Sequence, residues 1–271
     1  MPTAAPPTVT PRLAATTLIL RDSSDGPQVL MVRRSMQASF MPGAYVFPGG
    51  AVAAADGSPA AAARVDEPLD RLAQRVGRVL QVGDQGLAFA VAGLRECFEE
   101  CGLWLGAPDH HQPQAQWDAL RARLHAGASL ADLAQEAGLP LATRCLQPWS
   151  HWVTPLGVPK RFDTVFFVCR APAGQLPTVD QGETTTLCWV HPPTALAEHA
   201  RKAFQMEFAT VSTVRSLEPF AQGSVQALLD HAASLASLPP LHPRLKLDAE
   251  GRIRGVLMPG EAGYAEAAGD G

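Results

Sequence analysis

Three glutamates crowd one short stretch of the chain, Arg95-Glu96-Cys97-Phe98-Glu99-Glu100-Cys101-Gly102-Leu103. On a helix, Glu96, Glu99 and Glu100 stand at i, i+3 and i+4 and share one face. Like charges so placed repel, and they lie near the negative end of the helix dipole, so the arrangement costs stability. A hard divalent cation resolves the conflict, because Mg2+ takes oxygen ligands, keeps several waters and shares itself with substrate phosphates. Such an ion lowers the pKa of a bound water and neutralises charge growing on a bridging phosphoryl oxygen. The competing reading, and the commoner one for an isolated Glu-x-x-Glu-Glu, is a solvated acidic face.

The surrounding residues decide between the two. The segment matches the second half of the pattern Gly-x5-Glu-x7-Arg-Glu-U-x-Glu-Glu-x-Gly-U, where U is aliphatic, except that Cys97 takes an aliphatic position. Upstream, Phe47-Pro48-Gly49-Gly50 supplies an opening, and six residues beyond Gly50 stands Asp56, where the pattern has Glu. Asp56 and Arg95 are 39 positions apart instead of the usual 8, so about 31 residues are inserted within the motif. On these residues the chain resembles the Nudix hydrolases. It is similar, over most of its length, to the branch of peroxisomal-type acyl-coenzyme A diphosphatases and their bacterial relatives. The likeness runs from VLMVRRS through SFMPGAYVFPGGAVAAAD and the interrupted box to HWVTP, RFDTVFFV and the strand holding Trp189.

The resemblance implies a Mg2+- or Mn2+-dependent enzyme that cleaves a pyrophosphate bond in a nucleotide-containing small molecule. It implies Glu96, Glu99 and Glu100 as metal ligands, and Glu99, Glu100 and Arg95 as the catalytic group. Glu99 would be a third ligand or the base for the attacking water, and Arg95 would brace a glutamate or a loop carbonyl. Gly49 and Gly50 would turn the backbone tightly and bring amides toward a phosphate. Asp56 would brace its loop, and Glu183, six residues before Trp189, is the candidate for an extra loop carboxylate. Coenzyme A or an acyl derivative would give 3′,5′-ADP and (acyl-)phosphopantetheine. The 3′-phosphate of that substrate demands a cation, for which Arg33, Arg34, Lys160 and Arg161 stand beside the relevant strands, Arg34 and Arg161 foremost. Phe40 and Met41 are candidates to line the pocket. ADP-ribose or a dinucleotide is the alternative substrate, and a silent nucleotide sensor the alternative class, although sensors of this type lose box carboxylates.

These residues need elements to hold them. β-type runs occur at Ala14–Asp22 and Val29–Arg34, split by SSDGP, and again in WSHWVTP, RFDTVFFVCR and TTTLCWVHP. LAFAVAGLRECFEEC has helical spacing and ends at Gly102, a natural stop. The inserted stretch at about 57–87 and a second at about 109–140 read as helical, with Ser129 and Asp132 suited to a helix start. Further helices are expected after Pro193 and between Gln205 and Leu238. Strands before, between and after helices give an α+β fold, an α/β/α sandwich with one mixed sheet. The organisation is a disordered lead-in over 1–12, one domain over 13–240, and a hairpin with a loose tail over 241–271.

Bulk composition excludes several functions. With 46% apolar and 18% charged residues the chain is an ordinary globular protein, and its net charge of −4 argues against broad nucleic-acid binding. No uninterrupted apolar stretch is long enough to span a membrane, and MPTAAPPTVTPR lacks the apolar core of a secretory signal. Five cysteines scattered through apolar runs lack a zinc-type second pair and read as reduced thiols. The Ala-rich, Lys-poor composition suits a bacterial cytoplasmic protein, and a small-molecule nucleotide conjugate is the expected partner. His151, Trp149 and Trp152 sit in an alternating strand, where core and surface roles suffice. Neither a GxSxG nucleophile motif nor a GxxxxGK phosphate loop is present.

Overall fold

Alternation of residues on two apolar strands, β1 (Arg12–Arg21) and β2 (Gln28–Arg34), sets the layering of the whole molecule. In the computed structural model, which describes residues 9–37, 41–106, 113–180 and 184–267, Ala15 and Ile19 point into one core and Leu18 and Leu20 into the other. Successive strand side chains face opposite sides of a sheet, so a strand apolar on both must be covered on both.

Short strands β3 (Tyr45–Val46) and β4 (Gly49–Ala51) follow. The helices α1 (Pro59–Ala62), α2 (Leu69–Leu72), α3 (Gly86–Cys101), α4 (Gln114–His125) and α5 (Leu130–Ala137) come next. Then come β5 (Gln147–Val153), β6 (Phe162–Arg170), β7 (Thr184–Val190), α6 (Pro192–Ala200), α7 (Phe208–Ser216) and α8 (Val225–Ser234). A hairpin of β8 (Arg244–Leu247) and β9 (Ile253–Leu257) is the last pair of regular elements among the described residues. The first core packs α3, α4 and α5 on the sheet, and the second packs α6, α7 and α8 on its other side. This is the α/β/α arrangement that the alternation requires.

A fork in the sheet prepares the site. β1 pairs in parallel with β6 along nearly its whole length, and β2 pairs with β7, so each has one edge fully occupied. On their facing edges β1 and β2 pair only at Leu20–Val29 and Arg21–Gln28 and then diverge. The segment 45–51 fills the gap, with β3 on β2 and β4 on β1. Phe47-Pro48-Gly49-Gly50 is therefore held inside the sheet.

The helix α3 lies close against β1 and β6 because Gly93 has no side chain to hold it off. A Cβ on Gly93 would sit 3.0 Å from Thr17 Oγ1 and 3.4 Å from Phe167, and Thr17 donates to Gly93 O at 3.3 Å. Gly102 ends α3 in the left-handed conformation (φ 67°), its amide donating to Phe98 O.

The inserted stretches carry α1 and α2 in the first case and α4 and α5 in the second. A π-helical segment, Ala73–Arg78, continues α2 and buries Val76. Arg75 anchors the first insertion by donating to Glu67, Thr143 O and Leu146 O, and His151 bridges Leu80 O and Asp163. Ser129 caps α5 through Asp132 N. Trp149 and Trp152 pack in the second core. The segment after the hairpin is less loose than its sequence suggests: Arg244 donates to the carbonyls of Tyr264, Ala265 and Ala267.

Candidate active site

The last turn and a half of α3 delivers its carboxylates to the mouth of the fork. Glu96 is buried against Gly50: a Cβ there would lie 2.5 Å from Glu96 Oε1 and 2.7 Å from Oε2. Glu100, also buried, accepts from the Gly49 amide at 3.1 Å. Neither glycine makes the tight turn expected of it. Both lie in extended backbone within β4, and what they supply is absence of a side chain where strand and carboxylate touch. Gly49 is constrained from the other side, since its Cβ would fall 2.6 Å from Ala15 O.

Arg95 is the hub. Its Nε and NH2 hold Asp56 at 3.0–3.3 Å, NH2 also donates to Ala51 O at 2.8 Å, and NH1 reaches Glu96 Oε1 (2.7 Å) and Glu99 Oε2 (3.0 Å). Asp56, 2% exposed, also accepts from Ala53 N at 2.8 Å, which closes the loop after β4. The two ends of the interrupted motif thus meet in space across the inserted residues. Arg95 and Asp56 brace the site: burial alone would weaken the Arg95 charge, but hydrogen bonds and charge from Asp56 and Glu96 outweigh it and raise its pKa above the ordinary arginine value.

Negative charge still exceeds positive here. Burial pushes the Glu96 carboxyl up to about 7; Arg95 opposes the shift, and the neighbouring Glu99 charge adds to it. A buried carboxyl held half-neutral at pH 7 marks a place where a further cation would be stabilising. Glu99 is the outermost of the three, its side chain 33% exposed, with His125 Nδ1 3.9 Å from its Oε1.

Among the described residues no three acidic, imidazole or thiol groups are spaced as a finished metal site; the Arg95 guanidinium occupies the space between Glu96 and Glu99. The donor set nevertheless fits a hard divalent ion. It is all carboxylate oxygen, reaches solvent through Glu99, and leaves Glu96 short of compensating charge. The cysteines do not contribute: burial raises the Cys97 and Cys101 thiols well above their usual value on the inner side of α3.

The other expected residues divide. Arg161 is buried. It is 4% exposed and donates to Thr154 O (3.0 Å) and Val9 O (2.9 Å), tying the β5–β6 connection to the start of β1. Arg34 is half-buried at the open end of the fork, its amide donating to Ala44 O at 2.9 Å. Arg33 reaches Gly43 O and lies over the Tyr45 ring, and Lys160 is exposed. Met41 sits in a left-handed turn (φ 52°), while Phe40 and Glu183 lie outside the described residues.

Sequence reasoning missed the contribution of α4. Arg121 and His125, i and i+4 on that helix, both face Glu99, one at its backbone and one at its side chain. Their types carry no motif, and only the spacing of the pair on one face would have hinted at a shared target. Also unforeseen is an open groove of about 410 Å³ beside the bracing loop, lined by Arg12, Leu13, Ala51, Val52, Ala53 and Ala88.

A sheet forked around a Gly-Gly strand thus meets a helix-borne carboxylate cluster braced by arginine. The model of the NUDT19 Nudix domain matches residues 73–214, more than half of the chain, and the chain belongs to this family of Nudix hydrolases. Among its relatives, the human protein named acyl-coenzyme A diphosphatase NUDT19 is 28% identical over 90% of this chain and 74% of its own length. The chicken protein of the same name is 32% identical over 62% of this chain, and the match spans 55% of that relative. A solved Nudix hydrolase from Alicyclobacillus acidocaldarius superposes with a TM-score of 0.68 at 27% identity, covering 82% of this chain and 96% of that one. The bacterial cytoplasmic origin expected from composition gains no support from the vertebrate relatives. Among the described residues no helix is long and apolar enough to cross a membrane.

Proposed function

We propose that this protein hydrolyses the diphosphate bond of coenzyme A or an acyl-coenzyme A, with Mg2+ or Mn2+ held by Glu96, Glu99 and Glu100. The observation that carries the reading is the convergence of Glu96 and Glu100 on the Gly49–Gly50 strand, with Arg95 and Asp56 locking the loop behind them. The names of the human and chicken relatives support the choice of substrate. In the reaction a water oxygen bonds to one phosphorus as the bond from that same phosphorus to the bridging oxygen breaks; the bridging oxygen leaves with the other phosphorus and the water gives up a proton, so that 3′,5′-ADP and (acyl-)phosphopantetheine result. The divalent ion supplies charge neutralisation at the diphosphate and acidifies water.

The chain's own groups do the positioning. Glu96 and Glu100, fixed by packing against β4, present oxygens at constant geometry, which is where most of the rate in phosphoryl transfer arises. Glu99, the most accessible of the three, is the third ligand or the base that takes the proton of the attacking water. Arg95 holds the Glu96 and Glu99 side chains in register, and Asp56 holds Arg95. The groove beside Ala51 gives room for the part of the substrate that does not react.

A panel of coenzyme A, acetyl-coenzyme A, ADP-ribose and NADH, each with and without Mg2+ or Mn2+, tests this directly. Metal-dependent release of 3′,5′-ADP from the coenzyme A pair is expected. Faster cleavage of ADP-ribose or NADH would replace the substrate, and binding by calorimetry without product would make the chain a sensor.

A further inference from the structure

The second helical insertion reaches the carboxylate helix through one buried side chain that belongs to no motif. Arg121 on α4 is 7% exposed. Its Nε donates to Glu99 O at 2.8 Å, and its NH1 to Thr178 O (3.1 Å), Thr178 Oγ1 (3.0 Å) and Val179 O (3.4 Å). Thr178 in turn donates its amide to Cys101 O at 2.9 Å. The final carbonyls of a helix have no partners within it. Here those of Glu99 and Cys101 are satisfied from outside, by Arg121 and by the loop segment that Arg121 grips. Gly102 leaves the space for this: a Cβ on it would lie 3.0 Å from Thr178 Oγ1 and 3.3 Å from Arg121 NH1.

Stability alone is a poor reason for such a residue. Burying a guanidinium is costly, and an apolar side chain of similar length in its place is often neutral or stabilising. The cost here is not fully compensated, since Arg121 NH2 is buried with no hydrogen-bond partner among the described residues. What the arrangement does accomplish is geometric. It fixes the turn from which Glu99 and Glu100 project, and Glu100 is the group that grips the Gly49 amide. It also places a positive charge at the negative end of α3, beneath the acidic cluster.

We propose that Arg121 is a positioning residue of the carboxylate site, holding the last turn of α3 so that Glu99 and Glu100 keep their place against β4. Its effect on turnover rests on the diphosphatase reading above; its effect on geometry does not. The test compares full-length Arg121→Met and Arg121→Lys with the parent protein. Arg121→Met is expected to melt within a few degrees of the parent, yet to lose about ten- to a hundredfold in kcat with little change in KM. Amide hydrogen exchange without metal or substrate should show faster exchange at Gly49, remote in sequence from the mutation. Arg121→Lys keeps the charge but cannot bridge Glu99 O and Thr178 together, so its kcat should also fall. Parental kcat with parental protection of Gly49 in a folded Arg121→Met protein would overturn the proposal. Should that variant fail to fold, parental kcat and Gly49 protection in Arg121→Lys would do the same. If the parent cleaves none of the coenzyme A substrates, the substrate reading fails, and the Gly49 exchange still decides the role of Arg121.

Discussion

Residues 59–85 interrupt the carboxylate motif itself, whereas residues 114–137 lie wholly beyond it, and the two insertions abut opposite ends of α3. The first packs on the N-terminal end, where a Cβ on Gly86 would lie 2.9 Å from Gly77 N. It fills the core with Leu72, Val76 and Leu80 and is pinned by Arg75 and His151 to groups remote from the glutamates. The second meets the C-terminal end, where Arg121 and His125 touch Glu99. An insertion that splits a motif in sequence can therefore leave its chemistry alone, because Asp56 and Arg95 close the gap. One that follows the motif can reach the reacting groups, because helix ends offer unsatisfied carbonyls.

Glu96→Gln should have the largest effect, on the order of 10²- to 10³-fold in kcat, while the metal-free fold survives; near-parental turnover at saturating Mg2+ would remove Glu96 from the site. The same variant exposes a pH dependence. The folded Glu96 carboxyl titrates near 7, and its ordinary value is 4.5. Between those values the unfolded chain releases the proton and the folded one keeps it, so stability falls as pH rises through this window and levels off above it. The contribution is on the order of 3 kcal/mol. Metal-free Glu96→Gln should match the parent in Tm near pH 4 and exceed it near pH 8. Mn2+ at pH 8 should raise the parent's Tm and leave the variant's almost unchanged.

Arg75→Met sharpens the contrast between the insertions. It strips Glu67, a buried carboxylate, of its ion pair and should cost about 3 kcal/mol in denaturant unfolding with kcat unaltered, the inverse of the pattern expected for Arg121→Met. A fall in kcat as large as that for Arg121→Met would erase the distinction. Gly50→Ala should lower activity and cost about 1–3 kcal/mol, because its new methyl meets the Glu96 carboxylate; thermal melts and kinetics read both. The smallest effect belongs to His125→Ala. Its imidazole and Glu99 are both more than 30% exposed at 3.9 Å, so stability should shift by less than about 1 kcal/mol. A larger loss would show that α4 docks through this contact as well as through Arg121.

Much of this was legible along the chain. Strands β1, β2, β5, β6 and β7 follow runs of apolar and β-branched residues, and α3 ends at Gly102 where a left-handed residue is needed. Helices fall within both inserted stretches. The Glu96, Glu99 and Glu100 face could be found because a helix makes three- and four-residue spacing into proximity. What was not legible involved partners distant in sequence. Gly49 and Gly50 read as a turn but lie in a strand, since Pro-Gly-Gly does not reveal that two other strands diverge to admit it. The bonds from Arg161 to Thr154 O and Val9 O, the second 152 positions away, were equally invisible along the chain.

Local spacing determined a carboxylate face in helical register, a glycine pair upstream of it and enough apolar surface to cover a sheet twice, and the motif they share carried the family resemblance. Those properties belong to single segments, and residue type alone fixes them. Only the tertiary structure decided which cations face the glutamates. It put Arg95 and Asp56 together across an insertion, buried Arg161 against Thr154 O and brought Arg121 beneath Glu99. A charged side chain takes whatever acceptors folding leaves within its reach, and a one-dimensional pattern does not contain that geometry.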